Sequence, residues 1–284
     1  MKRFLLILGL LAAWTAAGAQ SKLVTDSVQS LILGAESKYN VYLPDGYNPA
    51  EQYPVIYLLH GLYGVYSDWQ DRGRMKDVAD LLIASGELRP VVIVMPNAGH
   101  PDVHNVQNGY FNVQDWSYED FFFQEFLPEV ENRYHCGGSK GQRAIMGLSM
   151  GGGGTVVYAQ RHPDLFSSAY AMSAWLDNRQ NNVRSEGPET DKLAITAQSV
   201  CDHSAVGFLN KADDSTLDAL RTVKWYVDCG DDDFIFDLSI EFYRKMREKK
   251  VPCELRVRDG AHTWEYWHTA LYQSLPFASR NFCN

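Results

Sequence analysis

Residues 143–154, Arg-Ala-Ile-Met-Gly-Leu-Ser-Met-Gly-Gly-Gly-Gly, constrain this chain more than any other stretch. The run opens apolar, as a buried strand does, and passes into Gly147-Leu148-Ser149-Met150-Gly151, a G-x-S-x-G pattern. A helical segment over 155–161 follows and stops at His162-Pro163. Strand, tight Gly-flanked turn and helix are the context that makes this pattern a nucleophile elbow. A serine at the tip of so sharp a turn sits in strained backbone, and neighbours with a Cβ would crowd it. The following helix aims its N-terminal N–H groups and positive dipole end at the place where an oxyanion would form. Ser149 is therefore read as an activated nucleophile, against the plainer alternative of a Gly-rich loop with an incidental serine.

An elbow needs a parallel sheet to carry it. The continuous apolar runs 54–59 and 90–95, with 143–147 and 167–172, have the composition of strands covered on both faces. Strands are also expected at 222–228 and 253–257, and 30–33 with 38–43 read as two antiparallel edge strands. Helices are expected at 77–84, 119–134, 238–249 and 264–279, the second bent by Pro128. Strands alternating with helices imply an α/β fold, a mostly parallel central sheet with helices on both faces. Between 177 and 218 the periodicity disappears into polar and small residues, which suggests a polar insertion over the site rather than a second domain.

The chain opens Met1-Lys2-Arg3, runs apolar from 4 to 13 and reaches Ala17-Gly18-Ala19 before Gln20. That is the pattern of a secretory signal peptide over 1–19, leaving 20–284 as a single domain, exported to the periplasm or beyond. The apolar core is too short to cross a bilayer comfortably, and no later stretch approaches the roughly 20 residues a spanning helix needs. The formal charge is −9, and losing Lys2 and Arg3 makes it two units more negative. Such a chain is a poor partner for nucleic acid or anionic membrane, and suits a neutral or aromatic substrate better. Five cysteines (Cys136, Cys201, Cys229, Cys253, Cys283) are too scattered for a disulfide framework, although one or two bridges fit an exported protein.

Acyl transfer requires a base for the serine, an acid to orient that base and donors for the oxyanion. On this fold the order is serine, acid, histidine, each at the carboxyl end of its strand. Asp231-Asp232-Asp233 follows the 222–228 strand, and Gly260-Ala261-His262 follows 253–257. His262 is the expected base, ahead of His268, which lies inside the last helix, and His203, which lies in the insertion. Spacing alone leaves the acid open among the three aspartates. His60-Gly61-Leu62 follows a buried strand, so the N–H groups of Leu62 and Met150 are expected to form the oxyanion hole, with His60 a structural histidine shaping its loop. No metal or organic cofactor is expected. His100, Asp102 and His104 form an H-x-D-x-H run, which is read as a solvated stretch of a polar loop.

With these residues assembled, the chain resembles the esterase D-like branch of the α/β-hydrolases, and within it the feruloyl and acetyl-xylan esterases of carbohydrate esterase family one. The resemblance is carried by His60-Gly61-Leu62-Tyr63-Gly64 with Asp68-Trp69, by residues 91–97, by the elbow, by Cys229-Gly230-Asp231-Asp232-Asp233-Phe234 and by Gly260-Ala261-His262-Thr263-Trp264. Relatives often have a second glycine where Ala261 stands. The resemblance implies that Asp233 is the acid and that the protein is a secreted serine esterase. It further implies removal of feruloyl or acetyl groups from xylan, with ferulate preferred. Tyr63, Trp69, Trp175 and Trp264 are the aromatic candidates for stacking on an acyl ring or a sugar, at least two of them being expected in the core. The alternatives are an S-formylglutathione hydrolase-like or general short-chain acyl esterase, a mycolyl-type acyltransferase, and a non-catalytic binding relative.

Overall fold

The structure, a computed structural model, describes residues 20–99, 109–180, 184 and 192–283. The expected signal peptide and the His100–Asp102–His104 run lie outside the described residues. Eight strands form the main sheet: β1 (Lys22–Ser30), β2 (Ala35–Leu43), β3 (Val55–Leu59), β4 (Val92–Pro96), β7 (Arg143–Leu148), β8 (Ser168–Met172), β9 (Lys224–Gly230) and β10 (Cys253–Arg258). Between β4 and β7 in sequence, β5 (Asn112–Val113) and β6 (Trp116–Ser117) make a separate small hairpin. The helices are α1 (Asp68–Asp71), α2 (Met75–Ala84), α3 (Tyr118–Phe121), α4 (Leu127–Arg133), α5 (Met150–Arg161), α6 (Lys192–Asp202), α7 (Ala205–Lys211), α8 (Asp214–Arg221), α9 (Phe236–Glu248) and α10 (Trp264–Asn281).

Strand order is β1-β2-β4-β3-β7-β8-β9-β10. The strand β2 runs antiparallel to both its neighbours, and every pairing from β4 to β10 is parallel. This is the α/β-hydrolase arrangement. Alternation along β3 explains the two-sided core, because successive side chains point to opposite faces. Val55, Tyr57 and Leu59 pack in the layer with α5, whereas Ile56 and Leu58 pack in the layer with α2 and α10. Five consecutive buried residues in β3 and in β4 follow from that double coverage.

Three expectations need correction. The first strand is Lys22–Ser30, and residues 31–34 are the turn of the hairpin, so 30–33 is not a strand. Leu31 at that turn is 93% exposed, which shows how an apolar triplet at a hairpin tip mimics a strand. Nor is β2 an edge, since β4 covers its other side. Second, residues 192–221, where a polar insertion is expected, form three helices. Ser204 caps α7 by accepting the Gly207 N–H, and Asp213 caps α8 by accepting the Thr216 N–H, so the ends of these short helices are fixed by side chains rather than by an apolar stripe. Among the described residues α7 packs on α5 and α9, and α6 on β5. Third, all five cysteines are free, Cys136 and Cys229 being buried in the core.

The segment ahead of Pro128 also has a local cause. Between α3 and α4 the chain widens into a π turn over Phe122–Phe126, closed by the Leu127 N–H on the Phe122 carbonyl. Pro128 has no N–H to offer, and the wider turn accommodates it without breaking the helix.

Candidate active site

Ser149 directly follows β7 and precedes the first residue of α5, with φ 53° and ψ −118°. Its neighbours must be glycine for steric reasons. A Cβ on Gly147 would stand 2.6 Å from the Gly151 carbonyl oxygen, and one on Gly151 would stand 2.4 Å from that of His60. The elbow therefore presses directly onto the loop after β3. The strained serine is held by its own backbone: its N–H donates to the Met172 carbonyl at 2.9 Å, and its carbonyl accepts from Gly153 and Trp175.

His262 Nε2 lies 2.9 Å from Ser149 Oγ, and His262 Nδ1 lies 3.0 and 2.9 Å from the two oxygens of Asp233. Serine, histidine and Asp233 thus form one hydrogen-bonded line across the carboxyl ends of β7, β9 and β10. Burial opposes ionisation of Asp233, but hydrogen bonds from His262, the Ile235 N–H and Ser173 outweigh it and hold the carboxyl below its usual range. Asp231 and Asp232 are exposed, and Asp231 accepts the Gly260 N–H at 3.1 Å. His268 and His203 are elsewhere: their Nδ1 atoms contact the Gly73 and Ser199 carbonyls at 2.8 and 2.7 Å.

The loop after β3 turns between Gly61 and Gly64, whose N–H reaches the Gly61 carbonyl at 3.0 Å, with Leu62 and Tyr63 at the centre and Tyr63 left-handed at φ 58°. Met150 opens α5, where helical N–H groups have no carbonyl partner within the helix. These are the two amides read from the sequence as oxyanion donors. His60 is buried, with Nδ1 2.7 Å from the Gly61 carbonyl and Nε2 accepting the Ala98 N–H at 2.9 Å. Desolvation lowers its pKa to about 4 despite the Gly61 hydrogen bond, so it is neutral and acts as a brace between two loops.

The four aromatic candidates separate. Trp69 and Trp175 are buried, Trp69 Nε1–H donating to the Leu59 carbonyl and Trp175 Nε1–H to Asn178 Oδ1. Neither offers a face to a substrate, and both are withdrawn as stacking groups: next to a tightly turned backbone, a large ring fills core volume and spends its single donor internally. Tyr63 is 54% exposed. Trp264 is partly exposed and packs edge-on against Trp69 and Trp267, with the Arg72 guanidinium over its ring.

Sequence reasoning missed three residues. Ser173, buried at φ 46°, accepts the Trp267 indole N–H at 3.1 Å beside Asp233. Trp267 also packs its ring edge-on against His262 at 4.9 Å. Phe234 covers another side of the same imidazole at 4.7 Å. Ser173 could have been sought as the residue just past β8, since this rim collects the site. A cavity of about 580 Å³ lies elsewhere, bordered by Val157, Gln160, Arg161, Arg179, His203 and Phe208, roughly three turns along α5 from Ser149.

An elbow serine heading α5 on this sheet, hydrogen-bonded through a histidine to a carboxylate, is the architecture of a serine hydrolase. The chain belongs to the esterase family of carboxylic ester hydrolases, whose model, described as "Putative esterase", matches residues 30–278. A solved ferulic acid esterase is 49% identical to it, with a TM-score of 0.87 over 93% of this chain and 99% of that one. The endo-1,4-beta-xylanase/feruloyl esterase of Xylanibacter ruminicola is 33% identical over 132 residues, which is 45% of this chain and 18% of that protein. The chain therefore matches under a fifth of that curated relative's length. An S-formylglutathione hydrolase from Staphylococcus aureus shares the fold, with a TM-score of 0.73 at 22% identity over 91% of this chain and 99% of that one.

Proposed function

We propose that this protein hydrolyses feruloyl esters of plant cell-wall polysaccharide through an acyl-enzyme on Ser149. The observation that carries the substrate reading is the 49% identity to a ferulic acid esterase along 93% of the chain. In the proposed reaction Ser149 Oγ attacks the ester carbonyl carbon while His262 Nε2 takes its proton. The carbonyl oxygen gains the negative charge and is received by the N–H groups of Leu62 and Met150. Collapse breaks the bond to the alcohol, which leaves with the proton held by His262. Water then enters, His262 takes one of its protons, and the resulting hydroxide attacks the acyl carbon to release ferulate and regenerate Ser149. Asp233 holds the imidazole with Nδ1–H toward itself and stabilises the cation formed in both halves.

Export fits this reading, because the polymer is outside the cell, and the basic-apolar-small pattern of residues 1–19 supplies the signal. Among the described residues no helix is long and apolar enough to cross a membrane. The deciding experiment compares kcat/KM on methyl ferulate with that on an acetylated xylo-oligosaccharide. A hundredfold preference for the acetyl ester would overturn the feruloyl assignment and leave ester hydrolysis standing.

A further inference from the structure

Phe234 is 59% exposed, although it adjoins the buried Asp233 and the buried Ile235 on either side. Its backbone is pinned: the Ile235 N–H bonds Asp233 Oδ1 at 3.0 Å, and the Phe236 N–H bonds the Asp233 carbonyl at 2.9 Å. A large apolar ring is thus presented to solvent from a rigid support, where a polar residue would serve folding at least as well. The ring is placed with direction. The His262 imidazole has the buried Trp267 edge-on at 4.9 Å and Phe234 at 4.7 Å, while Nδ1 is taken by Asp233 and Nε2 faces Ser149. Phe234 is the solvent-exposed neighbour of the imidazole in that set.

Proton economy then says which half of an ester comes there. Nε2 must return its proton to the departing alcohol oxygen, so that oxygen comes within hydrogen-bond reach of Nε2. The Phe234 ring is centred 4.7 Å from that imidazole, within reach of a sugar ring borne on that oxygen. The acyl carbonyl is drawn instead toward the Leu62 and Met150 amides.

We infer that Phe234 is the platform on which the alcohol half of the substrate, a sugar ring, stacks during acylation; this rests on the proposed hydrolysis of sugar-borne esters. The apolar C–H face of a pentose suits an aromatic face, whereas a methoxy group is too small to cover it. Phe234 therefore sets preference for the alcohol and not for the acyl group.

The test compares Phe234→Ala and Phe234→Trp with the wild-type protein on two esters that share the feruloyl group, methyl ferulate and a feruloylated arabinoxylo-oligosaccharide. In Phe234→Ala the ratio of kcat/KM on the sugar ester to that on the methyl ester should fall roughly three- to tenfold, the factor one aromatic contact gives. The loss should be carried mainly by KM, and Phe234→Trp should restore the ratio. An unchanged ratio, whether both rates fall together or neither moves, overturns the inference and makes Phe234 a prop for His262 or a bystander. If wild-type protein cleaves neither feruloyl ester, the substrate reading fails separately. The same ratio is then read on an acetylated xylo-oligosaccharide against ethyl acetate, with the same outcomes deciding.

Discussion

Two histidines stand on the same rim of the sheet, one after β3 and one after β10, and they sit in opposite surroundings. His60 has both ring nitrogens engaged by backbone, at the Gly61 carbonyl and the Ala98 N–H. His262 has both engaged by side chains, at Asp233 and Ser149. Backbone partners are neutral and fixed, so a buried imidazole among them stays uncharged and holds loops together. A carboxylate and a hydroxyl are a proton acceptor and a proton donor, so an imidazole between them can shuttle a proton. Chemistry at a histidine is decided by what its two nitrogens face.

The comparison breaks most sharply at the serine side. Ser149→Ala and His262→Ala should each lower kcat by about 10⁴- to 10⁶-fold while leaving the thermal midpoint close to wild type, as read by ester turnover and circular dichroism. A His60→Ala loss of kcat as large as that of His262→Ala would end the division of labour. Next in size, Asp233→Ala should cost about 10⁴-fold in kcat, and Asp231→Ala or Asp232→Ala far less, because those carboxylates are exposed and His262 Nδ1 bonds Asp233. A larger loss for Asp231→Ala would move the acid to that residue.

Acid should expose the other member of the pair. The folded pKa of His60 is about 4 against an ordinary 6.5. Between those values the unfolded chain binds a proton that the folded chain refuses, so stability rises with pH through that window. Lowering the pH from 6.5 to 4 should remove about 3 kcal/mol through this one group, and the loss should flatten below 4. Asp233, whose folded pKa is depressed, adds a loss only at still more acid pH, as its carboxylate takes a proton. Denaturant melts of wild type and His60→Gln across that range check the sign: the variant should show the shallower dependence.

At neutral pH His60→Ala should destabilise by about 1–3 kcal/mol, the cost of leaving buried backbone groups without partners, with a lower thermal midpoint as the readout. The smallest expected effect is of chelation. Asp231, Asp232 and Asp259 are exposed carboxylates whose oxygens lie within 4.8 Å of one another, and the proposed mechanism uses backbone amides rather than a cation. EDTA should leave kcat unchanged; loss restored by a divalent ion would assign these carboxylates a metal after all.

The sequence by itself determined the strands buried on both faces, because apart from paired groups such as Asp228 they must be apolar, and the elbow, because only glycines tolerate contacts as close as those of Gly147 and Gly151. Spacing ordered serine, acid and histidine along one rim but left three neighbouring aspartates equivalent, and only the family resemblance singled out Asp233. Their separation is tertiary: only Asp233 turns inward to meet His262, with Ser173 and Trp267 arriving from β8 and α10 to support it. Aromatic roles were likewise undecidable from spacing, since Tyr63 and Trp69 both follow β3 closely, yet one faces solvent and the other fills the core. Within 192–221 Ser204 and Asp213 cap α7 and α8, and the strand at 22–30 pairs with β2, contacts that an apolar pattern does not announce. Burial is a property of the assembled chain, and wherever a residue's role depends on which side of it is covered, only the fold decides.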